Sequence, residues 1–104
     1  MENARTELLE ALENKAELKC AKITFGYYYT SEERPTYRLK VGYSKDELEA
    51  FLDSLNFEYY SGYGGQELFG TLWLKDETWL SRGEYDGSEW WEHNSLPEIP
   101  TDII

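Results

Sequence analysis

The chain is 104 residues long and carries 21 Asp and Glu against 10 Lys and Arg, a formal net charge of −11. The length fits one domain, and the charge excludes direct binding to nucleic acid or an anionic membrane, whose phosphates would be repelled. Aromatic residues make up 16% of the chain, which excludes an acidic disordered segment.

The N-terminal stretch reads as a helix over about 3–15. Leu8, Ala11 and Leu12 share one face, Glu7, Glu10 and Glu13 face solvent, and Asn3 or Thr6 supplies the cap. It has neither the basic start nor the apolar run of a signal peptide. No stretch approaches the roughly 18 apolar residues that cross a bilayer. The expected compartment is the cytoplasm, or the host cytosol for a phage-encoded chain.

A hairpin is expected over about 16–43. Its first strand holds Leu18 and Cys20 on one parity and Ile23, Phe25, Tyr27 and Tyr29 on the other, so a β-bulge is expected near Ala21 and Lys22. The lone cysteine, Cys20, allows no internal disulfide and reads as a small core residue. The second strand alternates Tyr37, Leu39, Val41 and Tyr43 against Arg38, Lys40 and Gly42. Ser44 and Glu47 then form a capping box, opening a helix over about 44–56 with Leu48, Phe51, Leu52 and Leu55 as its apolar stripe.

A β-meander is expected over about 57–93: a short strand at 57–60, the glycine-rich Ser61-Gly62-Tyr63-Gly64-Gly65, then strands near 67–75, 78–85 and 88–93. Leu96-Pro97-Glu98-Ile99-Pro100 lies in an extended tail, 94–104, which the prolines keep out of helix or central strand. The fold class is therefore α+β: a single small domain, with an antiparallel β-sheet of four to six strands and two helices packed on one face. Leu68, Leu72, Leu74 and Leu80 should face the helices. Trp73, Trp79 and Tyr85 should face away, partly covered by the tail.

Charge is uneven along the chain. Residues 1–15 have net −2, 16–43 net +2, 44–66 net −4 and 67–104 net −7. The late acids Glu67, Asp76, Glu77, Glu84, Asp86, Glu89 and Glu92, helped by Asp46, Glu49 and Asp53, are the candidate partner-binding carboxylates. Carboxylates held at intervals on a rigid sheet imitate nucleic-acid phosphates and steer toward a basic groove. A solvated surface that keeps a small protein soluble accounts for the same net charge. Tyr59, Tyr63, Trp90 and Trp91 are the candidate aromatic anchors, because Trp and Tyr concentrate at binding hot spots.

Catalytic patterns are weak. Glu84 and Asp86 share strand parity but have no walled cleft in view. His93 is the only histidine and makes no zinc site. The glycine run lacks the Lys-Ser/Thr of a phosphate loop. No catalytic residue, metal or cofactor is expected.

The stretch Glu67–Pro100, ELFGTLWLKDETWLSRGEYDGSEWWEHNSLPEIP, resembles the C-terminal part of small acidic proteins carried by phages and mobile elements. It is similar in style to anti-CRISPR and other anti-defence proteins. The resemblance covers about a third of the chain and implies a host-takeover protein that works by binding. The expected function is thus a non-enzymatic inhibitor of a basic nucleic-acid-binding surface, such as a CRISPR effector or another defence nuclease. An immunity protein or antitoxin that blocks a toxin nuclease, and a small aromatic-faced module for carbohydrate or peptide, are the alternatives.

Overall fold

A computed structural model describes residues 1–26, 34–62 and 65–103. Its elements run β1 (Glu2–Asn3), α1 (Ala4–Ala11), β2 (Leu18–Phe25), β3 (Thr36–Leu39), α2 (Lys45–Ser54), β4 (Glu58–Tyr59), β5 (Leu68–Leu74), β6 (Trp79–Tyr85), β7 (Ser88–Asn94) and a 3₁₀ turn at Thr101–Ile103. The fold is α+β, with a five-stranded antiparallel sheet in the order β3-β2-β5-β6-β7 and a separate β1-β4 ribbon. No helix among the described residues is long and apolar enough to cross a membrane.

Local chemistry accounts for the helices. Asn3 caps α1 by accepting the Thr6 amide at 3.0 Å. Ser44 and Glu47 close the reciprocal box that opens α2, each accepting the other's backbone N–H at 3.1 Å. Both helices are shorter than the pattern suggested, ending at Ala11 and Ser54. The helix rows then bury Leu8, Phe51 and Leu55 against Leu18, Ala21, Ile23, Leu39, Leu68, Leu72, Leu74 and Leu80. Leu48 and Leu52 pack at the margin of this core.

The register of β2 slips between Leu18 and Cys20, earlier than the expected bulge. Leu18 is therefore buried, while Cys20 is only half-buried and lies opposite Trp73 on the outer face, outside the expected core. Tyr27 and Tyr29, expected to prolong this strand, lie outside the described residues. Gly70 on β5 is required by close approach: a Cβ there would stand 2.4 Å from the Lys22 carbonyl on β2. Strand β3 stops at Leu39, and Val41 is left 65% exposed. The tail does not cover the sheet as expected, since Leu96 and Ile99 are 74% and 68% exposed.

Candidate functional site

Strand pairing sorts the strand side chains onto two faces. Toward the helices point Tyr37 and Leu39, Ala21 and Ile23, Leu72, Leu80 and Arg82, and Trp91 and Glu89. Away from them point Thr36 and Arg38, Cys20, Lys22 and Thr24, Phe69, Thr71 and Trp73, Trp79, Ser81 and Tyr85, and Trp90, Glu92 and Asn94. None of these outward residues is buried, so among the described residues this face is open. Its strand positions carry the cations Lys22 and Arg38 and the carboxylate Glu92, and the Arg34 guanidinium adds a third cation 5.3 Å from the centre of the Phe69 ring, although the chain as a whole is at −11.

The candidate carboxylates separate into two groups. Asp46, Glu49, Asp53, Asp76, Glu77, Glu84, Asp86 and Glu92 are exposed. Glu67 and Glu89 are not: they are 5% and 6% exposed and turned inward, which corrects their placement on a binding surface. The late acids of the last hairpin are divided by this. Glu84 and Asp86 stand at the β6-β7 turn, Glu92 lies on the open face, and Glu89 lies inside.

Glu89 belongs to a buried polar node. Its Oε2 accepts the Glu67 amide at 2.6 Å, and its Oε1 accepts the Leu68 amide at 3.0 Å and an Arg82 N–H at 2.9 Å. Arg82, with a side chain only 2% exposed, also donates to Glu7 of α1 and to the Tyr59 hydroxyl of β4, both at 2.9 Å. Tyr59 in turn donates to Glu7 at 2.5 Å. The Trp91 ring lies 4.8 Å from the guanidinium carbon, the separation of a cation–π contact. Glu67 accepts the Tyr60 amide at 3.1 Å. Desolvation, then the bond to Glu7, push the Tyr59 phenol well above its ordinary value. Burial alone would lower the Arg82 pKa, but the charge of Glu7 and its other partners raise it.

The node therefore corrects two aromatic candidates as well. Tyr59 is 2% exposed, and Trp91 packs half-buried against the core, so neither is presented to a partner. Trp90 is presented, at 38% exposure, with its ring over Gly83 and its Nε1 donating to Glu92 at 3.0 Å. A Cβ on Gly83 would lie 2.5 Å from that ring nitrogen. Tyr63 lies outside the described residues. Trp73 at 42% and Tyr85 at 77% are exposed aromatics that the sequence placed on this face without naming them as anchors.

Bonds around the sole histidine do not assemble a nucleophile. Thr78 donates its hydroxyl to Asp76 at 2.5 Å, so His93 Nε2, 2.8 Å from the same oxygen, must donate to it. A hydroxyl whose proton already lies on a carboxylate is held as a turn anchor. These bonds from the Thr78 hydroxyl and then its amide hold the Asp76 carboxyl below its usual range. No group of three His, Cys, Asp or Glu suited to a metal occurs among the described residues. Two shallow grooves of about 360 and 400 Å³ flank α2; Tyr37, Phe51 and Ser54 line the first, and Leu9, Leu12, Leu48 and Leu52 the second. Neither contains the node.

No family model matches the chain, nor does any curated protein or any solved structure.

Proposed function

We propose that the chain is a non-enzymatic binding protein that lays its acidic helix-and-turn side against a basic, nucleic-acid-binding surface of another protein. The resemblance of its C-terminal third to anti-defence proteins makes a CRISPR effector or another defence nuclease the target class. The observation that carries the proposal is the uncompensated stripe on α2. Asp46, Glu49 and Asp53 follow i, i+3, i+7 spacing, all are exposed, and none forms an ion pair; the ion pairs among the described residues are Lys75–Glu17, Arg82–Glu7 and Arg82–Glu89. Seven residues of helix rise about 10 Å, so these charges stand about 5 Å apart. One DNA strand presents a charge about every 3.4 Å of axis, a spacing of the same order. Glu77 and Asp86 are further exposed carboxylates, at the β5-β6 and β6-β7 turns.

The test is capture of partners from host lysate at low salt, followed by competition with duplex DNA. A basic nuclease released by DNA and by about 0.5 M salt supports the reading, because exposed charge pairs are screened beyond a few ångströms there. A partner retained through both treatments, or retained equally by a D46N/E49Q/D53N variant, sinks it.

A further inference from the structure

The open sheet face is unlike the rest of the surface, and its pattern is self-complementary. The strand registers place Arg38, Lys22, Thr71, Ser81 and Glu92 in one continuous row across β3, β2, β5, β6 and β7. The row is basic at one end, hydroxylated in the middle and acidic at the other end. With strands about 4.8 Å apart, it spans about 19 Å from Arg38 to Glu92. On one side of it runs the row Cys20, Trp73, Trp79, Asn94; on the other lie Phe69 and Trp90. Among the described residues neither Lys22 nor Arg38 forms an ion pair.

We infer that this face is the interface of a homodimer, in which two copies stack sheet on sheet about a two-fold axis parallel to β5. Rotation about that axis lays the β3 edge of one copy over the β7 edge of the other. Arg38 then faces Glu92 of the second copy, Lys22 faces Ser81 within reach of the same carboxylate, and Thr71 faces its own counterpart on the axis. The relation is reciprocal, so the charge pair forms twice, as an isologous interface requires. Trp73 lies on β5 beside the axis, where the two indoles meet. Packed sheets stand about 10 Å apart, a gap that these indoles and the Lys and Arg stems fill.

Charge selects a second copy over other occupants. Two chains of −11 repel wherever their acidic sides approach, and α1, α2 and the β5-β6 and β6-β7 turns are acidic. The open face alone, among the surfaces described, combines exposed aromatics with more cations than carboxylates. A basic partner would be drawn to the acidic side instead, so the inference is independent of the proposed function. Exposed aromatic surface of this kind is ordinarily covered.

Sedimentation equilibrium on the full chain tests the inference. The wild type should show twice the 12.3 kDa chain mass. E92K should weaken association at least about tenfold, because like charges then face each other twice. K22E/R38E should do the same. Mixing the two variants should restore a dimer of one copy of each. The cations of the E92K copy, intact and introduced, then oppose the intact Glu92 and the introduced carboxylates of the other. A wild type that stays at 12.3 kDa up to about 1 mM overturns the inference, as does a wild-type dimer that both variants leave intact. A failure of the mixture to rescue overturns the two-fold arrangement. A monomeric wild type whose Trp fluorescence is quenched by oligosaccharide would assign the face to a glycan instead.

Discussion

The helix-covered face of the sheet is built in two ways. Over β2, β5 and the first half of β6, the contact is apolar: Ala21, Ile23, Leu72, Leu74 and Leu80 are all under 5% exposed. One step further along β6, the next inward position is Arg82, and the neighbouring strand contributes Glu89. Apolar packing is non-directional and resists loss of volume more than change of shape. The node is directional, and it ties two elements outside the five-stranded sheet, α1 through Glu7 and β4 through Tyr59, to Arg82 on β6, Glu89 on β7 and the Leu68 amide that opens β5. It therefore fixes where the β1-β4 ribbon and α1 sit against the five-stranded sheet, which leucine contacts alone leave free to slide.

The largest effect should come from opening the node. Glu89→Ala removes one partner of a buried guanidinium and strands two backbone amides, and should cost about 3–5 kcal/mol in urea unfolding. Arg82→Lys should also be severe, because an ammonium cannot reach Glu7, Tyr59 and Glu89 with one planar fork. Leu72→Ala should cost about 2–5 kcal/mol through lost transfer energy and the cavity left behind. Conservative changes separate the two halves more sharply. Leu72→Met should stay below about 1.5 kcal/mol. If Arg82→Lys proved as mild as Leu72→Met, the node would be ordinary packing.

Tyr59→Phe comes next, at about 1 kcal/mol for two lost hydrogen bonds in a partly compensated setting. It also has a pH signature. The folded pKa of Tyr59 lies above its ordinary 10.0, so the stability it contributes is complete below that value and is lost as pH rises through the folded value. Unfolding free energy should therefore fall as pH rises past about 10, and fall less steeply in Tyr59→Phe. Parallel slopes in the two proteins would remove Tyr59 from the alkaline transition.

The apolar half was legible in the sequence because type and period agree there. Leu72 and Leu74 alternate with Trp73, Ser44 and Glu47 announce α2, and Phe51 and Leu55 follow at helical spacing. The node was not, although its parity was readable: Arg82 shares parity with Leu80, and Glu89 with Trp91. Residue type outvoted parity, since Glu and Arg are almost never fully buried without a partner. That partner is 75 residues from Arg82 in the case of Glu7. The same default put Glu67 and Glu89 on the surface and Cys20 in the core, where a bulge one turn of the pleat earlier turned it outward.

The smallest effect separates stability from binding on the acidic side. Asp53 lies in the last turn of α2, where the helix macrodipole favours a cation, and four residues beyond Glu49. A carboxylate there is unfavourable on both counts. Asp53→Lys should stabilise the protein by about 0.5 kcal/mol, from the dipole and from the i, i+4 pair that the new ammonium makes with Glu49. It should at the same time weaken capture of a basic partner and flatten its salt dependence by breaking the α2 stripe. A gain in both stability and binding would show that the stripe serves only solubility. Stabilisation with loss of binding would identify Asp53 as a residue kept against the local preference of its own helix.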